Sequence, residues 1–153
     1  MTELKIGDKA PEFKGIIEDG SLISLQDFKG RKLVLYFYPK DNTPGCTAQA
    51  CNLTENQSVL KDAGFEIVGV SADTIKKHQN FIKKFNLGFP LIADEDKTVI
   101  NSFGVWGPKK FMGREYEGIH RVTFVIDESG IIEKIFTKVK TKDHTQQILE
   151  SYK

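Results

Sequence analysis

The chain has 153 residues, 39% hydrophobic and 28% charged, with 22 basic side chains against 21 acidic ones. A formal net charge of +1 gives no field with which to hold nucleic acid or an anionic membrane, and 11 Phe, 4 Tyr and one Trp supply too much bulk for a disordered chain. The length suits a single domain over residues 1–153, and the mixed opening Met1-Thr2-Glu3-Leu4-Lys5 has no apolar leader, so a cytoplasmic protein without a membrane span is expected.

In chain order, residues 13–17 and 21–25 flank Glu18-Asp19-Gly20 and read as an N-terminal β-hairpin. Residues 32–38 form a near-continuous apolar run, the pattern of a strand covered on both faces. A loop follows at Lys40-Asp41-Asn42, then one long helix to about Ala63, stopped by Gly64. Residues 65–71 read as a second buried strand, and Ile75, Phe81, Ile82 and Phe85 as the inner face of a helix over 74–86. A short strand at 90–93 and a short helix at 97–103 come next. Residues 104–119, with four glycines and a proline, read as a loop long enough to line a site. Residues 121–126 and 131–137 make another hairpin, and Ile148, Leu149 and Tyr152 mark a terminal helix. This order predicts an α/β fold, a central mixed sheet flanked by helices, as in thioredoxin-like domains.

Only two cysteines are present, Cys46 and Cys51, so any sulfur chemistry is confined to one short segment. In a reducing compartment such a pair is more often catalytic or redox-sensing than a staple, although two buried apolar cysteines remain the competing reading. Zinc is a weaker reading, because only the scattered His78, His120 and His144 could complete a ligand set. Thr43 suits a helix N-cap and Pro44 the first helical position, which puts Cys46 in the first turn. Unpaired backbone N–H groups and the positive end of the helix dipole there favour thiolate over thiol, but a helix end alone rarely suffices. A nearby cation is therefore expected. Arg121, which opens a core strand, is the candidate, and a solvated strand-end arginine is the alternative. On an ideal helix Cys46 and Cys51 lie about 8.7 Å apart at Cα and about 140° around the axis. A disulfide tolerates about 7 Å at most, so bridging them requires unwinding around residues 47–50. The pairs Lys76-Lys77, Lys83-Lys84 and Lys109-Lys110 read as solvated surface rather than a nucleic-acid footprint.

The segment Tyr36-Phe37-Tyr38-Pro39-Lys40-Asp41-Asn42-Thr43-Pro44-Gly45-Cys46-Thr47-Ala48-Gln49-Ala50-Cys51 resembles the active site of peroxiredoxins, most of all the Q subfamily, the bacterioferritin comigratory proteins. Pro39, Thr43 and Cys46 match the family spacing, and Cys51 stands where the Q type carries its second cysteine. The likeness continues through Phe103-Gly104-Val105-Trp106-Gly107 and from Gly118 to Asp127. It implies a thioredoxin-like fold and the reduction of hydrogen peroxide and organic hydroperoxides to water and alcohols. Cys46 is then the peroxide-attacking sulfur and Cys51 the thiol that resolves its sulfenic acid as an intramolecular disulfide. Thr43 hydrogen-bonds the thiolate and peroxide oxygen, Arg121 stabilises the developing charge, and Pro39 shields the pocket. Gln49, one turn after Cys46, reads either as a residue orienting Arg121 or as a surface glutamine. The resemblance further implies no metal, haem or flavin, recycling by thioredoxin or a similar dithiol, and a monomer, with a dimer as the alternative. Two rivals stand beside it: a thiol–disulfide oxidoreductase, weakened by the absence of C-x-x-C, and a peroxide-sensing redox switch.

Overall fold

The computed structural model describes residues 2–153. Its N-terminal hairpin turns at Asp19-Gly20, with Gly20 at a φ of 85°, and pairs β1 (Lys14–Ile16) antiparallel to β2 (Leu22–Ser24). After a 3-10 turn at Leu25–Phe28, β3 (Lys32–Phe37) runs through the middle of the molecule. Its apolar run extends through Tyr38, and no residue from Leu33 to Tyr38 is more than 1% exposed.

The expected long helix is two. The first, α1 (Pro44–Glu55), ends at Asn56, and α2 (Gln57–Asp62) follows. At Asn56 the backbone leaves helical dihedrals (φ −108°, ψ 14°), while its amide Nδ2 donates to the Asn52 carbonyl at 2.8 Å beside its own N–H at 3.2 Å. Beyond Gly64, β4 (Phe65–Ser71) lies parallel to β3, α3 (Ile75–Phe85) packs beneath, and β5 (Leu91–Ala93) adds a parallel edge strand. The short α4 (Thr98–Ser102) is capped by the buried Asp94 carboxylate, which accepts from the Val99 and Ile100 amides.

Residues 104–119 are not the expected loop. They fold as a hairpin, β6 (Trp106–Phe111) against β7 (Arg114–Ile119), in register from Trp106↔Ile119 to Phe111↔Arg114. The two-residue turn is Met112-Gly113, both at positive φ (51° and 80°), the primed geometry that matches strand twist. Charges on both strands and the scattered glycines disguise the alternation in the sequence. The chain then enters β8 (Val122–Ile126), antiparallel to β3, and returns as β9 (Ile132–Phe136) before α5 (His144–Glu150). The main sheet has the order β5-β4-β3-β8-β9, a mixed sheet with helices on it, as expected.

The period-two alternation of β3 splits the core. Leu33, Leu35 and Phe37 face a cluster with Val68, Val70, Phe103, Phe124 and Ile126. Val34, Tyr36 and Tyr38 face α1, α3 and α5 through Cys46, Ala50, Leu53, Phe81 and Ile148. The chain leaves β3 and β4 at the same end of the sheet, so the loops that follow them abut.

Candidate active site

The start of α1 sits where β3 ends. Thr43 takes the N-cap position with extended backbone (φ −102°, ψ 156°), and Pro44 is the first helical residue, as the sequence predicts. The first bond of the ladder is Thr47 N–H to Thr43 C=O at 2.8 Å, so the Gly45 and Cys46 amides have no partner within the helix. Cys46 lies in this first turn, at the positive end of the helix dipole, and is 1% exposed. The Thr43 hydroxyl departs from expectation: it makes no cap bond and donates instead to the Lys40 carbonyl at 2.8 Å. With its proton engaged there, Oγ1 is left as an acceptor rather than as a donor to sulfur. Pro39 is half-buried in the same loop, immediately after the buried Tyr38.

Arg121 bridges β7 and β8 and reaches across to α1. Its Nη2 donates to the Cys46 Sγ at 3.3 Å and its Nη1 to the Gln49 Oε1 at 2.7 Å. The strand-end charge therefore points inward, and Gln49, 0% exposed, is its orienting partner rather than a surface residue. Gly45 eases this approach, since a Cβ on it would stand 3.2 Å from the guanidinium Nη2 and push the fork back by a few tenths of an ångström. The neutral amide of Gln49 fixes the fork without offsetting its charge, which remains available to an anionic sulfur.

Cys51 is a free, half-buried thiol on the same uninterrupted helix as Cys46. Burial, and then the Glu55 carboxylate, push its pKa up. The intact helix therefore keeps it away from Cys46 in space and holds it as a neutral thiol.

Sequence reasoning missed other groups around the site. Lys109 is not plain surface. Its ammonium donates to the Ile119 carbonyl at 2.9 Å, and burial together with the nearby Arg121 charge lowers its pKa. Its signal is hidden because the exposed hairpin that carries it lacks apolar alternation. His144 is buried at the start of α5, and burial lowers its pKa to about 4; the Gln147 hydrogen bond raises it and the Arg121 charge lowers it further, both by smaller amounts. Tyr36 lies beneath the site with its hydroxyl unpaired, and burial followed by the charge at Cys46 drives its pKa well above the usual phenol range. Asp41, Asp73 and His78 bring one potential ligand atom each within 4.8 Å of one another, the one such cluster among the described residues. Their oxygens and nitrogens are engaged with each other and with Tyr38, Ser71 and Ile92. As a chemical arrangement, a sulfur beside a guanidinium at a helix mouth, with a second thiol on the same helix, suits nucleophilic redox chemistry.

Comparison with known proteins agrees. A profile of the AhpC/TSA family matches residues 6–135. Peroxiredoxin Bcp of Escherichia coli is 48% identical over 149 residues, covering 97% of this chain and 96% of that protein. The solved structure of a cysteine-to-serine variant of peroxiredoxin Q from Xylella fastidiosa superposes with a TM-score of 0.91 at 29% identity, covering 99% of this chain and 97% of that one. The bacterioferritin comigratory protein of Xanthomonas campestris, whose structures address its alkyl peroxide reduction activity, gives a TM-score of 0.86 at 32% identity, with coverage of 99% and 96%.

Proposed function

The chain belongs to the AhpC/TSA family, among its Q-type peroxiredoxins, and on that premise we propose that Cys46 is the sulfur its peroxide substrates oxidise. The protein is a thiol peroxidase, acting on peroxides and returned to its reduced form by thiol reductants. The observation that carries the residue assignment is the 3.3 Å contact from Arg121 Nη2 to the Cys46 Sγ at the mouth of α1.

In the first step the Cys46 thiolate attacks the terminal oxygen of R–O–O–H in line with the O–O bond. The S–O bond forms as the O–O bond breaks, and the departing R–O⁻ takes up the proton of the attacked oxygen, leaving an alcohol and the Cys46 sulfenate. For hydrogen peroxide the alcohol is water. Arg121 compensates the charge spread over S···O···O, Thr43 accepts from the peroxide O–H, and Pro39 keeps bulk water off the sulfur. In the second step, once the first turns of α1 open, the Cys51 sulfur attacks the protonated sulfenic acid. A disulfide forms and water leaves. A dithiol such as thioredoxin then supplies the two electrons that restore both thiols. Alkyl hydroperoxides are included as substrates, by analogy with the Xanthomonas campestris protein.

A monomer in a reducing compartment such as the cytoplasm completes the proposal, since two cysteines on one helix can resolve the sulfenic acid without a second subunit. Among the described residues no helix is long and apolar enough to cross a membrane. The test is peroxide-dependent oxidation of a nicotinamide donor through thioredoxin and its reductase. Cys46→Ser should abolish turnover, and Cys51→Ser should leave a single oxidation of Cys46 per molecule. Turnover retained in the Cys46 variant would overturn the assignment.

A further inference from the structure

Beneath the site lies a set of buried polar side chains that the peroxide chemistry does not use. His78 occupies the apolar inner face of α3 and is 0% exposed, and Asp41, in the loop leading to Thr43, is 7% exposed. A histidine and a carboxylate are costly to bury, and these two come from separate elements brought together only by the fold.

The bonding is fully specified. His78 Nε2 lies 2.9 Å from the Ile92 carbonyl, which can only accept, so Nε2 carries a proton. His78 Nδ1 lies 2.6 Å from the Asp41 Oδ2, with one proton shared between them. The other carboxylate oxygen, Oδ1, accepts from the Tyr38 hydroxyl at 2.5 Å. The Asp41 backbone N–H donates to the Asp73 Oδ2 at 2.8 Å, and the Ser71 hydroxyl holds that same oxygen at 2.7 Å. Asp41 is thus fixed at both carboxylate oxygens and at its amide. The next residue, Asn42, turns the chain at a φ of 61°, the left-handed region that asparagine enters more readily than most other non-glycine residues. Thr43 follows directly, its hydroxyl tied back to Lys40.

We infer that the Tyr38–Asp41–His78 chain is a positioning device for the peroxidase reaction, which locks residues 39–43 so that Pro39, Thr43 and the mouth of α1 meet the peroxide in register. His78 and Asp41 are positioning residues and touch no substrate. This rests on the function proposed above. It also divides the loop from the helix: α1 can open beyond Cys46 during resolution while the segment before it stays pinned to α3 and to β4.

The test uses the full-length chain in a Cys51→Ser background, so that Cys46 alone reacts. Two second-order rate constants are measured on folded protein: with hydrogen peroxide, which needs the aligned donors and acceptors, and with iodoacetamide, which needs only the sulfur. Asp41→Ala and His78→Leu should lower the peroxide constant about 10- to 100-fold while changing the iodoacetamide constant less than about threefold. Asp41→Asn is the rescue, because its amide Nδ2 donates to a neutral His78 Nδ1 while its Oδ1 still accepts from Tyr38. Both of its constants should stay within about threefold of the parent. Should the two disruptive variants fail to fold, Tyr38→Phe removes one oxygen and keeps the ring stack on Tyr36; it should lower the ratio of the two constants at least about threefold. An unchanged ratio in the folded variants, or an Asp41→Asn protein as impaired as Asp41→Ala, overturns the inference. A parent protein that does not react with peroxide overturns the proposed function instead.

Discussion

Lowering the pH from 7 to 5 should cost the folded protein about 2 kcal/mol through His144 alone, rising to about 3 kcal/mol at pH 4. The imidazole is buried with both nitrogens engaged: Nδ1 faces the Gln147 Oε1 at 2.9 Å and Nε2 the Thr123 hydroxyl at 2.9 Å. The Gln147 amide is itself oriented by Nε2 donating to the Lys138 carbonyl, so Oε1 can only accept from Nδ1. The Nδ1–H tautomer follows, with Nε2 accepting from Thr123. Burial lowers the pKa from 6.5 to about 4 in the folded state. Below pH 6.5 the unfolded chain therefore binds a proton that the folded chain refuses. Stability is full above that value and falls with pH until about 4, where the loss levels off. With a urea m-value of about 2 kcal/mol/M, the pH 5 loss corresponds to a midpoint shift of about 1 M. Urea titrations at pH 7 and pH 5 should show this difference in the native protein. A His144→Phe variant is expected to be less stable at pH 7, since it strands the Thr123 hydroxyl, yet to lack this component of the pH slope. Identical slopes in the two proteins would refute the reasoning.

Three other outcomes follow from the site. Arg121→Met removes a charge-assisted contact to sulfur worth about 1.5–3 kcal/mol, so stopped-flow oxidation of Cys46 by hydrogen peroxide should slow by about 10- to 150-fold. The raised pKa of Cys51 makes its thiolate scarce, so the phase that forms the disulfide should accelerate by up to about tenfold per pH unit between pH 6 and 8. A flat profile would put the rate limit in helix opening. Gly69→Ala should destabilise by about 1–3 kcal/mol in urea titration, because its Cβ would come 2.7 Å from the Leu91 Cδ2 and 3.0 Å from the Tyr36 ring.

The parts of the molecule legible beforehand were those written in local pattern. Pro44 after Thr43 marked the start of α1 and put Cys46 in its first turn, and the apolar run before Pro39 marked the central strand. Arg121 was legible as a charge opposed to its apolar neighbours, but whether it pointed in or out depended on Gly45 and Gln49, some 70 residues away. The hairpin at 106–119 was hidden by its own composition, because strands exposed to water lose the apolar alternation that identifies them. The break at Asn56 lies in the dihedrals of one residue within an otherwise helical stretch, which no local pattern marks. The Tyr38–Asp41–His78 chain had no local signature at all. Asp41 and His78 are 37 residues apart and meet only because β3 and β4 end side by side.

On the mechanism proposed above, the unbroken course of α1 through both cysteines acts as a clock on the oxidised sulfur. While the helix stays wound, the sulfenic acid waits, exposed to any second oxidant that reaches the pocket. A second hit within that interval carries the sulfur to sulfinic acid, from which ordinary thiols cannot recover it. How readily residues 47–50 unwind thus sets the peroxide dose the molecule survives, as well as the pace at which it turns over.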